Sequence, residues 1–114
     1  MPDFEIEQGI HDYIVTLYLQ KALDWDRKQT GLFKLDRFWE ELAGQLARYA
    51  EAEHARIRKR LRSTGCRILL EEMSADRNVH VMYRHKGYEH HCVIMPSVLK
   101  GKCETRLKDF LLTR

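Results

Sequence analysis

Residues 79–94 read VHVMYRHKGYEHHCVI, and the pattern of this segment decides the fold class. Apolar and polar residues alternate on both sides of Lys86-Gly87, which is typical of two antiparallel strands joined by a tight turn. With a two-residue loop, the apolar residues of both strands lie on one face. These residues are Val79, Val81, Tyr83, Cys92 and Ile94.

The loop length sets the register of this hairpin. A three-residue loop with Gly87 in the left-handed conformation places His80 opposite Cys92 instead. The two-residue loop is preferred because its apolar face is continuous and because it pairs Arg84 with Glu89 across the strands.

The neighbouring segments complete the C-terminal half. Residues 67–73 are rich in Ile and Leu and predict a further strand, and Pro96 ends the last strand because it cannot donate to a ladder. A short helix is expected over about 103–112. It would bury Cys103, Leu107, Phe110 and Leu111.

Two long amphipathic helices are predicted before the strands, over about 4–28 and 35–63. The first stripe consists of Ile6, Ile10, Ile14, Leu17, Tyr18, Ala22 and Trp25. Gly31 and Gly65 end the two helices, and the short connection 31–34 makes them antiparallel. The sequence therefore predicts one α+β domain over residues 1–114, with a long helical hairpin, a three-stranded antiparallel meander and a short C-terminal helix.

Composition limits the class of protein. Of the 114 residues, 44% are hydrophobic and 32% charged, which is typical of a folded domain. No apolar run reaches membrane-spanning length, and the N-terminus is acidic rather than basic and apolar. Three widely spaced cysteines do not form a disulfide framework. We therefore expect a cytoplasmic protein that does not bind membranes.

Basic residues are concentrated at the end of the second helix and at the hairpin tip. Residues 56–67 contain six basic side chains and no acidic one, which suggests a nucleic-acid interface over this helix end and the tip 83–88. A solvated helix end, where cations suit the helix dipole, is the favoured interpretation of this run, and the nucleic-acid interface is the alternative to it. The candidate residues are Arg56, Arg58, Lys59, Arg60, Arg62, Arg67, Arg84 and Lys86.

Aromatic residues at the tip extend this hypothesis. Tyr83 and Tyr88 are expected to be exposed there, where they can stack on bases. The aromatic residues of the two long helices are expected in the core. His54, one turn before Ile57, is interpreted as a core or interface histidine with a hydrogen-bond partner.

The hairpin also carries a cluster of histidines and a cysteine, types that bind zinc. The candidate ligands are His80, His90, His91 and Cys92. No Cys-x-x-Cys or His-x-x-x-His pair accompanies them, so ordinary strand histidines are the favoured interpretation. No cofactor is predicted, and zinc is kept as a lesser alternative.

No phosphate-binding loop or nucleophile motif points to an enzyme. The leading hypothesis is a small non-catalytic interaction or regulatory module. It is expected to form a homodimer through the long helices, because three short strands and one short helix cover little of them. The alternatives are the nucleic-acid-binding protein and the metal protein or enzyme described above.

Overall fold

A computed structural model describes residues 4–30 and 37–113, with the side chains of residues 4–25 and 41–113. Three helices and three strands follow in the order helix, helix, strand, strand, strand, helix. They are α1 (Phe4–Thr30), α2 (Arg37–Ser63), β1 (Cys66–Met73), β2 (Val79–His85), β3 (Tyr88–Ile94) and α3 (Pro96–Thr113). The predicted α+β class is confirmed, and the predicted connection 31–34 lies outside the described residues.

Helices α1 and α2 form the predicted antiparallel pair. The beginning of α1 packs against the end of α2, where a Cβ atom on Gly9 would lie 2.8 Å from Cδ2 of Leu61. Gly9, which weakens the helix by intrinsic propensity, therefore allows this close approach. Farther along the pair, Thr16 Oγ1 lies 2.9 Å from Nδ1 of His54, and the Tyr13 ring lies against the same imidazole. His54 is therefore a partly buried histidine between the two helices with the expected hydrogen-bond partner.

The three strands form one antiparallel sheet in the order β1-β2-β3. Lys86 and Gly87 both have positive φ angles, 53° and 81°, as a two-residue type I′ turn requires. The predicted register follows, with Arg84 opposite Glu89. A bulge between Ile68 and Leu70 shifts the register of β1.

The core lies between the inner face of the sheet and the helices. Ile10, Ile14, Val79, Val81 and Ile94 are fully buried there. The apolar stripe of α1 was predicted correctly at its beginning, but Trp25 at its end is 62% exposed. Val15 and Leu19, outside that stripe, are also buried, and α1 contacts both α2 and α3.

The C-terminal helix is longer than predicted. It begins at Pro96 rather than near Cys103, because proline suits the first turn of a helix, where its missing N–H is not needed. Leu99 is buried in this added stretch. The expectation for Leu111 was wrong, since this side chain is 49% exposed.

Within the described ranges, every helix is too short or too polar to cross a membrane.

Candidate nucleic-acid interface

The basic residues predicted to bind nucleic acid are exposed in the structure. They are Arg56, Arg58, Lys59, Arg60 and Arg62 on α2, Arg67 on β1, and Arg84 and Lys86 at the hairpin tip. Two are engaged in ion pairs, because Arg56 contacts Glu53 at 2.8 Å and Arg84 contacts Glu89 at 2.9 Å. Arg58 and Arg62 form no ion pair with any residue that the structure describes.

A cleft of about 480 Å³ opens between the end of α2 and the start of β1. Its charged lining residues, among those described, are three arginines: Arg58, Arg62 and Arg67. Arg58 and Arg62 are one helical turn apart, so they lie on the same face of α2. The rest of the lining is neutral: Tyr13, Leu61, Gly65, Cys66 and Ile68. The charge of the described lining is therefore entirely positive.

The helix dipole accounts for only part of this basic run. The partial negative charge at a helix C-terminus acts within the last turn, which here contains Arg60 and Arg62. Arg58 and Lys59 lie before that turn. Both side chains are exposed to solvent.

The sheet brings the hairpin tip to the same end of the molecule as the cleft. Cys66 pairs with His85, and Arg67 pairs with Arg84, so the Lys86-Gly87 turn lies beside the start of β1. From β1 to β3 the sheet spans two strand spacings, about 10 Å. The two segments that the sequence suggested separately are thus neighbours in space.

The expectation for the aromatic residues was half correct. Tyr88 is 72% exposed beside the turn, but Tyr83 is 2% exposed. Tyr83 lies on the inner face of β2, where alternation from Val79 and Val81 carries it into the core. Base stacking at the tip can therefore involve Tyr88 and not Tyr83.

The histidines of the hairpin are divided between the two faces of the sheet. His80 and His91 form a pair on the outer face, with Nδ1 and Nε2 3.0 Å apart and the rings stacked. On the inner face, His90 stacks on the ring of Tyr83. The four predicted zinc ligands, with Cys92 on the inner face, are therefore not brought together into one site.

Cys92 instead contacts a histidine from α1. Its Sγ lies 3.4 Å from Nε2 of His11, and Nδ1 of the same ring lies 2.8 Å from Nζ of Lys102 on α3. Glu7, one turn before His11, completes a group whose ligand atoms all lie within 4.8 Å of one another. Within residues 4–25 and 41–113, this is the one group of three or more His, Cys, Asp or Glu side chains that lie close enough together to hold a metal ion.

Burial changes the protonation of this group. It lowers the pKa of His11 below 6.5, and the nearby Lys102 ammonium adds to the effect. Burial also raises the pKa of the Cys92 thiol, to which Glu7 adds, while Lys102 acts in the opposite direction. At neutral pH the side chains are therefore a neutral imidazole and a protonated thiol.

A comparison with protein families gives one assignment. The family model described as YhjD protein matches residues 1–114. The chain belongs to the YhjD protein family. No curated protein and no solved structure shows a significant match. The YhjD match covers both the basic cleft and the Cys92 group.

Reasoning from the sequence missed Glu7 and His11. Their four-residue separation on a predicted helix places them on one face, and this was an available signal. Neither Cys92 nor Lys102 could be matched to them, because these residues are about 80 to 95 positions away along the chain.

Proposed function

We propose that the protein is a small non-catalytic binding module whose ligand is nucleic acid. The observation that carries this proposal is the cleft in which Arg58, Arg62 and Arg67 are the charged lining residues. Guanidinium groups match phosphate oxygens in both charge and geometry. A cleft with three arginines and no described acidic lining residue is suited to bind phosphate groups.

The surface beyond the cleft supports a polymer rather than a single small anion. Lys59 and Lys86 extend the positive charge from the cleft along the helix and to the hairpin tip. Exposed Tyr88 at that tip supplies an aromatic ring for base stacking. A positive surface combined with an aromatic side chain favours single strands, whose bases are accessible.

Fluorescence anisotropy of labelled single- and double-stranded oligonucleotides, titrated with the full chain at several salt concentrations, tests this proposal. Five phosphate contacts on a single strand, one for each arginine of the cleft and for Lys59 and Lys86, predict a slope of log K against log salt of about −3.5. Binding is expected on every sequence, with single strands preferred. Absence of binding at low salt, or binding insensitive to salt, would exclude the proposal.

A pair of double variants locates the interface. Replacing Arg58 and Arg62 with alanine is expected to weaken binding by about 10- to 100-fold and to reduce the salt slope by about 1.4. Replacing Lys100 and Lys108, exposed on α3, removes the same charge outside the cleft lining and is the matched control. Equal losses in both variants would show that net charge, not the cleft, carries the affinity.

Self-association is a second candidate function, and a specific feature favours it. Leu70, Val93 and Met95 are 45–55% exposed, and Leu70 and Val93 lie on the outer face of the sheet. This face also has Arg67 near one end and Glu72 near the other. A second copy, rotated by 180° about an axis that lies between the two sheets and is perpendicular to the strands, would place the Arg67 end of one sheet against the Glu72 end of the other. The homodimer through the long helices stays a prediction, and we place the interface on the sheet instead.

Sedimentation velocity of the wild type and of Val93→Asp tests the dimer. The wild type is expected to sediment as a dimer at micromolar concentration. Val93→Asp should be monomeric because it places a carboxylate on the apolar surface that the second copy would cover. A wild-type monomer at these concentrations would exclude self-association.

A further inference from the structure

Three side chains from two distant parts of the chain converge beside the inner face of the sheet. Glu7 and His11 are one turn apart on α1, and the buried Cys92 faces them from β3. Carboxylate, imidazole and thiolate are the three ligand types that zinc takes in proteins. Thiolate sulfur distinguishes such a site from one for magnesium or calcium.

The geometry fits a tetrahedral ion. Zinc bonds of about 2.3 Å to sulfur and 2.05 Å to nitrogen, at a tetrahedral angle, separate the two ligand atoms by about 3.6 Å. The distance from Sγ of Cys92 to Nε2 of His11 is 3.4 Å. All three ligand atoms lie within 4.8 Å of one another, so one ion can contact all of them with small side-chain adjustments.

We propose that Glu7, His11 and Cys92 form a zinc site. The two negatively charged ligands, the Glu7 carboxylate and the Cys92 thiolate, balance the charge of the ion. Three protein ligands leave a fourth position for an exchangeable ligand. Binding displaces the thiol proton to solvent and ties α1 to β3. The site uses none of the arginines of the nucleic-acid interface.

Lys102 controls access to this site. In the metal-free protein its ammonium donates to Nδ1 of His11, so the ring carries its proton on Nε2 and donates toward Cys92. An ion bound at Nε2 requires the proton on Nδ1 instead. The Lys102 ammonium then has no acceptor there and must turn away. Lys102 therefore competes with the ion.

Cobalt serves as the spectroscopic probe, because a thiolate ligand produces a charge-transfer band and tetrahedral coordination gives strong visible bands. Untagged full-length protein is titrated with Co²⁺ under reducing conditions, and Zn²⁺ affinity is then measured by displacement of the cobalt. We expect one equivalent of metal per chain with a thiolate band. A wild-type spectrum without that band would overturn the proposal.

Variants identify the ligands. Cys92→Ser should abolish the thiolate band, and His11→Gln and Glu7→Gln should each weaken Zn²⁺ binding at least about tenfold. Cys103→Ser is the matched control, since Cys103 is a partly buried thiol whose Sγ contacts the carbonyl of Val15 rather than the group. A band that survives Cys92→Ser would assign the metal elsewhere and overturn the site.

Two further measurements keep the test independent of folding defects. At the same Zn²⁺ concentration, the melting temperature should rise more in the wild type and in Cys103→Ser than in a folded Glu7→Gln variant. Lys102→Gln should tighten Zn²⁺ binding about tenfold, because the amide oxygen can accept the Nδ1 proton. Unchanged affinity in Lys102→Gln would overturn the competing role of Lys102.

Discussion

The two faces of the three-stranded sheet use the same strands but have different surroundings. On the inner face, Val79, Val81 and Ile94 pack against the helices and are at most 1% exposed. On the outer face, Leu70, His91 and Val93 remain exposed in the described chain. The alternation of a strand thus produces one face that holds the fold together and one that is available for contacts with other molecules.

The largest contrast between the faces is expected for a matched pair of valines. Val81 on β2 is 0% exposed and Val93 on β3 is 45% exposed. Val81→Asp buries a carboxylate without a partner and should destabilise the fold by more than about 4 kcal/mol. In a single chain the side chain of Val93→Asp stays in water, so below the concentration at which the protein dimerises the substitution should lower the free energy of unfolding by less than about 1 kcal/mol. Urea denaturation followed by circular dichroism measures both.

Similar losses in the two valine variants would mean that the outer face is also covered, as in a stable dimer. Repeating the denaturation at several protein concentrations separates that case, since the stability of a dimer depends on concentration.

The next contrast concerns two arginines with the same ion-pair distance. Arg106 on α3 is partly buried and bridges Glu53 of α2 at 2.9 Å and Asp12 of α1 at 3.4 Å. Arg84 on the outer face contacts exposed Glu89, also at 2.9 Å. Arg106→Met should lower the free energy of unfolding by about 1–2 kcal/mol, because it leaves two partly buried carboxylates without this cation. Arg84→Met should cost about 0.5 kcal/mol or less.

Thermal and urea denaturation of both methionine variants check the arginine prediction. Equal losses of unfolding free energy in the two variants would contradict the view that burial, rather than distance, determines how much each ion pair stabilises the fold. High salt should reduce the small effect at Arg84 more than the effect at Arg106.

The smallest expected effect is a pH dependence that comes from the interior. Burial lowers the pKa of His54 below 6.5, and the charge of nearby Arg58 adds to this effect. As pH falls through 6.5, His54 binds a proton in the unfolded chain but stays neutral in the folded chain. The free energy of unfolding therefore decreases as pH falls, until the pH is below the pKa of His54 in the folded chain. His54→Gln should reduce this slope and can keep a hydrogen bond to Thr16.

Urea denaturation between pH 8 and 5 measures the slope. His11 has a lowered pKa as well, so the variant should keep part of the wild-type pH dependence. A wild-type stability that rises as pH falls in this range would contradict the prediction.

Local signals were sufficient for most of the fold. The bounds of β2, the two-residue turn and the pairing of Arg84 with Glu89 follow from alternation around Lys86-Gly87 and are confirmed. The start of α3 was missed, because Pro96 was interpreted only as a strand terminator although proline is equally suited to a helix start.

The candidate sites depended more on long-range packing. The exposed basic run was identified from the sequence, but its position beside the hairpin tip follows from the pairing of Cys66 with His85. In the histidine cluster, by contrast, the fold separates residues that are adjacent in the sequence. Adjacent His91 and Cys92 point to opposite faces of one strand, while Cys92 meets His11 from the other end of the chain.

The sequence by itself determined the elements of this protein, their order, the hairpin register and the basic character of the second half. These properties depend on neighbours a few residues apart, where periodicity and turn preferences act. Only the tertiary structure decided which side chains share a cleft or a ligand group. Such groups form where distant segments pack together, and packing depends on the shape of the whole core.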